Sequence, residues 1–265
     1  MSEVKSAKRI LELLNYFART RAPASLTQIS TALGFPKSSC LSLLETLESE
    51  GYAYATHNGY YLTRRWLNES LLVAEYDQVV AQVRPVLEAL QGELQETLIL
   101  AQLAGDQVLY LDAIEADRIV RFAAHAGQTK PLHASASGRA LLSTLKQDEQ
   151  RDLLETLPRH IYTDDTATDV DQLLDRIDQG HQRGWHVNLA EHQADTLSVA
   201  VPVVLHGTAF ALVVGAPMSR AAPQADQIGR ALARAARALA SSTAAAAPTQ
   251  RAKARPRKQT KPAHS

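Results

Sequence analysis

Cysteine is almost absent from this chain, which has 265 residues and a single cysteine, Cys40. A disulfide framework and a cysteine-based metal site are therefore excluded, and a reducing, cytoplasmic compartment fits this composition. Long apolar runs are missing as well, because the most apolar region, residues 197–217, is interrupted by Pro202, His206 and Gly207. With no N-terminal signal pattern either, the sequence predicts no membrane span and no membrane partner.

Charge is unevenly distributed, although the formal net charge is zero. Residues 1–66 carry 8 Lys and Arg against 5 Asp and Glu, residues 67–240 carry 14 against 23, and residues 241–265 carry 6 against none. The 45% apolar and 21% charged content is that of a soluble globular protein with room for two domains. Because an acidic body repels polyphosphate, any nucleic acid is expected to bind the basic head, to which the basic tail could contribute.

Residues 25–51 have the pattern of two short helices joined by a tight turn. Apolar residues recur at helical spacing, and Gly34 stands where a helix C-terminus favours a left-handed residue. Thr27 is predicted to cap the first helix, and Pro36 is predicted to open the second. The pattern predicts a helix-turn-helix, although an ordinary helical hairpin with a solvated face would share it.

A predicted hairpin follows the second helix, because two alternating segments flank the pair Asn58-Gly59. With an amphipathic helix before the unit, residues 1–66 form a predicted winged helix-turn-helix, a known DNA-reading module. Small donors and cations near a helix N-terminus can reach phosphate oxygens and base edges. The candidate DNA-binding residues are Thr27, Gln28, Pro36, Lys37, Ser38, Ser39, Ser42, Asn58, Arg64 and Arg65.

The rest of the chain alternates between helical and strand periodicity. Residues 67–78 predict a linker helix, and residues 79–242 predict a second domain in which Pro85 kinks or restarts the first helix. The predicted strands are 97–104, 107–115, 118–124, 198–205 and 210–214, and the later helices are 138–145, 148–157, 169–183 and 223–241. This pattern indicates an α+β fold with an antiparallel sheet.

The C-terminal stretch, residues 243–265, is rich in Ala, Pro, Lys and Arg and has no apolar periodicity. It is predicted to be a disordered basic tail, because it cannot bury enough surface to order itself. Its cations could form a non-specific phosphate-binding arm, or the tail could serve only solubility.

Three motifs support a family resemblance. They are PLHASASGRALLS at residues 131–143, RGWHV at residues 183–187 and VAVPV at residues 199–203, all after the winged unit. Together with the linker helix, they resemble the IclR family of bacterial transcriptional regulators over about residues 5–240. The resemblance implies a GAF-like C-terminal α/β domain that binds a small-molecule effector. It also implies a homodimer or dimer of dimers on palindromic double-stranded operator DNA, the arrangement by which small modules gain selectivity.

In that family the effector lies between the sheet and the PLHAS segment. Carried over position by position, the resemblance implies effector contacts at Ile119, Phe122, Ala136, Ser137, Asn188, Thr196, Ser198, Val213 and Gly215. Many family members have a cysteine at the position of Ser198 and serines at the positions of Val213 and Gly215. They commonly have an acidic residue at the position of Asn188. A largely apolar site with few donors favours an aromatic acid or similar catabolic intermediate over a two-carbon or three-carbon acid.

Residue types for catalysis are present, but their spacing does not indicate an enzyme. Ser135 and Ser137 lie beside Gly138, yet the segment is not G-x-S-x-G. Four residues could be metal ligands by type but lack a ligand spacing such as H-E-x-x-H: His181, His186, Glu191 and His192. Scattered surface histidines and a buried structural carboxylate at Glu191 are the alternative. We expect no catalytic residue, metal or cofactor; the alternative functions are a ligand-independent DNA-binding protein and a small-molecule enzyme.

Overall fold

The computed structural model describes residues 4–246, which form two compact units with a boundary between Gln78 and Val79. The first unit contains α1 (Lys5–Thr20), α2 (Leu26–Leu33), α3 (Lys37–Ser49), β1 (Ala53–Thr56), β2 (Gly59–Leu62) and α4 (Arg65–Glu75). Helices α1 to α3 bury one apolar cluster that includes Leu13, Phe17, Ile29, Cys40 and Leu44. The two strands pair as an antiparallel hairpin, so the predicted winged helix-turn-helix is observed.

Two local assignments in this head differ from the sequence prediction. Ser25, not Thr27, caps α2, because Ser25 and Gln28 form a reciprocal capping box. Pro36 is the N-cap of α3 and lies one position before its first helical residue. Gly34 has φ +65° after α2, as predicted.

The wing turn also shifts by one residue. Thr56 pairs with Gly59, so the two turn residues are His57-Asn58 instead of Asn58-Gly59. Gly59 opens β2 with φ +117°, and a Cβ there would lie 2.6 Å from the carbonyl oxygen of Ala24. Glycine is required at this position because the backbone of the wing crosses the loop before α2.

The second unit is built on a six-stranded antiparallel sheet with strand order β5-β4-β3-β8-β7-β6. Its strands are β3 (Thr97–Ala104), β4 (Gln107–Ile114), β5 (Thr129–Pro131), β6 (His186–Leu189), β7 (Thr196–Leu205) and β8 (Thr208–Pro217). Its helices are α5 (Gln78–Leu94), α6 (Ala136–Leu142), α7 (Gln147–Thr156), α8 (Val170–Arg183), α9 (Met218–Ala221) and α10 (Ala225–Ala246), with a 3₁₀ turn at Ala222–Gln224. The predicted α+β class is confirmed.

The sheet has a separate apolar core on each face. Alternate residues such as Leu98 and Val214 pack with α5 and α10. The intervening residues, such as Ile99 and Val213, pack with α6, α7 and α8. Because successive strand residues point to opposite faces, this alternation decides which side chains can meet a ligand above the second core.

The predicted strand at residues 118–124 is wrong, because this segment is a loop. Side chains bind its backbone: Thr97 Oγ1 donates to the carbonyl oxygen of Phe122 at 2.6 Å, and Glu115 Oε1 accepts from the amide of Ala124 at 3.1 Å. Two short strands that were not predicted, β5 and β6, form the edges of the sheet instead.

Two helices also differ from their predicted form or extent. Helix α5 continues through Pro85 without a restart. Helix α10 extends to Ala246, so the prediction of a disordered tail from residue 243 is wrong for residues 243–246. Thr243 is also held by a hydrogen bond, because Gln82 Nε2 donates to its Oγ1 at 2.7 Å. The predicted disorder and phosphate binding of the tail from residue 247 onward lie outside the described residues. Within residues 4–246, no helix is both long and apolar enough to cross a membrane.

Candidate functional site

The N-terminal turn of α3 presents a small, polar face. Lys37, Ser38 and Ser42 are exposed, whereas Cys40 and Leu44 on the other side are buried in the head core. The first amides of a helix lack intrahelical partners, and the helix dipole is positive at this end. This face therefore favours contact with an anion such as a phosphate group.

Arg9 is a neighbour of this face that sequence reasoning did not select. Its Nη1 donates to Ser39 Oγ at 2.7 Å, and its guanidinium lies 5.2 Å from the ring centroid of Phe35. Arg9 therefore links α1 to the first turn of α3 and adds a cation beside Ser39. No sequence motif signals this contact, which depends on how the two helices pack.

The other predicted positions in the head differ in whether their side chains already form hydrogen bonds within the protein. Thr27 and Gln28 are exposed on α2, but Gln28 Oε1 accepts from the amide of Ser25 at 2.8 Å and so stabilises the helix start. Ser42 Oγ donates to the carbonyl oxygen of Ser38 at 3.1 Å. Asn58 is exposed at the wing tip.

Arg64 and Arg65 are adjacent in sequence but have different surroundings. Arg65 Nε donates to Glu69 Oε1 at 2.8 Å, its Nη1 donates to the carbonyl oxygen of Glu50, and its guanidinium lies 4.4 Å from the ring centroid of Tyr52. These contacts tie α4 to the end of α3 and the wing. Arg64 is exposed, so Arg64 is the better placed of the two for a phosphate.

In the second unit, three of the predicted effector positions lie in one row across the sheet. Asn188 pairs with Ser198, Ser198 pairs with Gly215, and Gly215 pairs with Thr97. Thr196 and Val213 lie two residues away along β7 and β8, on the same face as Ser198 and Gly215. The register therefore brings these five predicted residues to one face.

The segment before α6 is bound to this row by Asn188. Its Nδ2 donates to the carbonyl oxygen of Ala134 at 2.8 Å, and its Oδ1 accepts from the amide of Glu191 at 3.3 Å. Ala136 and Ser137 are buried at the start of α6, where Ser137 Oγ donates to Ser135 Oγ at 3.3 Å. Both polar ends of Asn188 are thus already hydrogen-bonded within the protein.

Phe122 covers the row, whereas Ile119 does not reach it. A Cβ at Gly215 would lie 2.5 Å from Phe122 Cδ1, so the ring lies directly on the backbone of β8. Ile119 is 100% exposed in the loop that carries Phe122. A serine at position 215 would collide with this ring, which gives a physical reason for the glycine.

Glu191 is a buried carboxylate with two arginine partners. Arg139 contacts it through two bonds, Nη1 to Oε2 at 2.8 Å and Nη2 to Oε1 at 2.9 Å, and Arg176 Nη1 lies 2.7 Å from Oε2. This pairing supports a structural role for Glu191. Within residues 4–246, no group of three or more His, Cys, Asp or Glu side chains is arranged to hold a metal ion.

A cleft of about 280 Å³ lies beside the PLHAS segment, and sequence reasoning did not identify it. Its polar lining includes Lys130, His133, His160, Tyr162 and His192. The Tyr162 ring lies 5.9 Å from the His133 ring and 4.8 Å from the His192 ring, centroid to centroid. The cleft thus combines flat rings with a cationic side chain.

Comparison with known proteins matches both units to models of one family. The model described as the IclR helix-turn-helix domain matches residues 6–57, and the model described as bacterial transcriptional regulator IclR C-terminal matches residues 72–241. The two matches have the order predicted from the motifs, and the second alone covers more than half of the chain.

Individual relatives agree with these family models. The probable transcriptional regulator SauR of Cupriavidus necator is 29% identical over 219 residues, which cover 81% of this chain and 87% of that protein. The HTH-type transcriptional regulator TtgV of Pseudomonas putida is 31% identical over 211 residues, covering 78% and 80%. The crystal structure of an IclR homologue from Microbacterium hydrocarbonoxydans, complexed with 4-hydroxybenzoate, has a TM-score of 0.74 at 22% identity, covering 89% and 99%. That structural similarity concerns the fold alone.

Proposed function

This chain belongs to the IclR family of bacterial transcriptional regulators, and we propose that its winged head reads operator DNA as part of a homodimer. It is a DNA-binding transcriptional regulator with a C-terminal effector-binding domain, as its relatives are, and not an enzyme. We place its action in the cytoplasm, with residues 1–66 binding DNA, residues 67–78 as a linker and residues 79–242 binding effector and partner subunits.

The main observation in support of the proposed DNA-binding site is that the N-terminal turn of α3 is exposed. Lys37 and Ser38 lie exposed there, and Arg9 holds Ser39 in place beside them. Lysine supplies a phosphate contact that is independent of sequence, whereas the hydroxyls can discriminate between base edges. Arg64 and the wing residue Asn58 extend the same contact set. Arg65 acts mainly by fixing α4 to the end of α3 and to the segment before the wing, through Glu50 and Tyr52.

Dimerisation is supported by the surface of α4. None of the 11 described residues of this helix is buried, and Leu67, Leu71, Leu72 and Val73 are each more than half exposed. A helix this short is marginal in water unless an apolar face is covered. A second copy of α4 would cover it and would bring two heads onto two half-sites related by a two-fold axis.

For the effector, we propose an aromatic acid that contacts Phe122, Val213 and the row containing Ser198. This face offers few free polar groups, because Val213 and Gly215 have no polar side-chain atom and both polar ends of Asn188 are already hydrogen-bonded within the protein. A flat body can bury surface against Phe122, whereas a two-carbon acid depends on hydrogen bonds that this face supplies sparsely. The 4-hydroxybenzoate bound by the Microbacterium homologue is an acid of this class.

The test of DNA binding is a mobility-shift titration of the full chain on its own promoter and on shuffled DNA of equal length. We expect Lys37→Ala and Arg64→Ala each to weaken binding to both DNAs and to reduce the salt slope by about one. Arg230→Ala, which removes an exposed arginine from the second unit, is the matched control and should change nothing. A native protein that binds both DNAs equally would refute the proposed function.

A further inference from the structure

Lys130 is a buried cation for which the fold provides no anion. Only 8% of the residue is exposed, and no carboxylate within residues 4–246 pairs with it. Burial alone lowers the pKa of the Lys130 ammonium, with no opposing contribution from a negative charge. Burying an unpaired ammonium is costly, and the Phe122 ring, 5.5 Å from Nζ, offsets only part of that cost.

The titratable groups around Lys130 do not supply the missing charge. Burial lowers the pKa of His133, and burial together with the charges of Lys130 and His133 lowers the pKa of His192 to about 4. Both imidazoles are therefore neutral at pH 7. Asp106 is the one carboxylate among the described lining residues, and it is exposed in the turn between β3 and β4 at the rim of the cleft.

The size and walls of the cleft restrict what can pair with Lys130. Ligand pockets usually have about 300–1,000 Å³, so a cleft of 280 Å³ suits a small molecule. Leu132, Leu157 and Pro158 provide apolar walls, and the Tyr162 and His133 rings lie nearly parallel, with 30° between their planes. A small, flat molecule with one negative group fits this lining, and the neutral imidazoles add hydrogen-bonding atoms.

Phe122 connects this cleft to the row of predicted effector residues. The Phe122 ring lies close to the Lys130 ammonium and also to the backbone of Gly215. In the row and beside it, Val213 and Gly215 offer no hydroxyl that could bind a carboxylate. Lys130 therefore supplies a positive charge that the residues of the sheet face, which are neutral, do not provide.

We propose that Lys130 holds the carboxylate of a small, flat organic acid in this cleft and thereby makes the effector domain selective for anions. This inference rests on the proposed function and identifies the residue that recognises the charge of the effector. An ammonium–carboxylate contact in a partly desolvated cleft is a strong, charge-assisted hydrogen bond, so a neutral analogue of the same shape binds less tightly.

Calorimetric titration of the full chain with benzoate and with benzamide, at constant ionic strength, tests this assignment. The native protein should bind benzoate at least about tenfold more tightly than benzamide, as expected for a charge-assisted contact. Lys130→Met should remove that preference without weakening benzamide, and Lys130→Arg should retain it. Lys146→Met, which removes an exposed lysine of the same unit, is the matched control and should keep the preference.

Equal binding of benzoate and benzamide by the native protein, binding of neither, or an unchanged preference in Lys130→Met would overturn the proposal. Without ligand, Lys130→Met should unfold at the same or a higher temperature than the native protein, because it removes an unpaired buried charge. A lower unfolding temperature would assign Lys130 a structural role instead. Operator selectivity is measured separately, so failure of the anion site with selectivity intact leaves the regulator assignment standing.

Discussion

At the scale of single residues, Gly138 shows why the PLHASASG motif ends in glycine. A Cβ at this position would lie 1.9 Å from the carbonyl oxygen of Leu132, in the same motif. Helix α6 therefore starts in direct contact with the residue that follows β5, and Ser135 Oγ accepts from the amide of Gly138 at 3.1 Å. The motif encodes a tight reversal of the backbone next to the face that holds the predicted effector positions.

Gly138→Ala should destabilise the second unit by about 1–3 kcal/mol, because the added methyl overlaps backbone that cannot move freely. Gly92→Ala is the matched control: it lies in α5 with nothing within 4 Å of its Cβ, so it should stabilise by up to about 1 kcal/mol. Urea unfolding followed by circular dichroism measures both changes. Equal effects of the two substitutions would contradict this account of the motif.

Other residue-level features could not be read from the sequence, because they arise from contacts between distant segments. The pairing of Phe122 with Gly215 joins a loop to the last strand, and the fixing of Arg65 by Glu50 joins two helices. Arg65 therefore resembled a DNA contact as much as Arg64 did. Residue type and order gave both as candidates, and only the tertiary contacts separate them.

At the scale of elements, long periodic segments were predictable and short edge segments were not. The strand at Thr97–Ala104 has its predicted bounds, since an apolar run followed by Gly105-Asp106 leaves little choice. The strands β5 and β6 have three and four residues, and unlike the equally short β1 and β2 they do not flank a hairpin-turn dipeptide that would reveal them. The loop at 118–124 alternates like a strand but gives backbone hydrogen bonds to side chains instead.

The exposed apolar side chains of helix α4 lead to a prediction about dimerisation. Leu71→Glu should shift the protein from dimer to monomer, because it places a charge in the centre of the face that a second copy would cover. Val204→Glu, which alters a residue of similar exposure, 52% against 57%, is the matched control and should leave the assembly intact. Sedimentation velocity at micromolar concentration distinguishes the two states. A native monomer, or an unchanged Leu71→Glu dimer, would refute a role for α4 in dimerisation.

At the scale of the whole molecule, buried histidines make stability depend on pH. Burial is the main cause that lowers the pKa of His186 to about 3 from an ordinary value of 6.5. The folded unit keeps this imidazole neutral, while the unfolded chain takes up a proton below pH 6.5. Stability is therefore complete above that pH and decreases as the pH falls toward 3.

Between pH 6.5 and 5, the free energy of unfolding of the second unit should fall by up to about 1.4 kcal/mol per pH unit through His186 alone. The window lies above the range in which carboxylates titrate. His186→Gln should reduce the slope by that amount, whereas His57→Gln, which alters the exposed wing, should not. Denaturant titrations across this window measure the slope, and an equal slope in native protein and His186→Gln would contradict the assignment.

The division of charge also belongs to the whole molecule and was visible in the sequence. The basic head favours contact with phosphate groups, whereas the acidic residues 67–240 repel them. The resemblance to one family was also available from three motifs, and the family models confirm it. The cleft around Lys130 was not visible in the sequence, because its lining comes from four separate segments that only the fold brings together.

The most direct test of the central claim is selection of binding sites by the full chain from a pool of random duplex DNA. A regulator that reads DNA through α3 and dimerises should enrich an inverted repeat, with half-site centres about 10 base pairs apart or a multiple of that distance. Enrichment of no motif, or of a single unrepeated site, would contradict the proposal that paired winged heads read the operator.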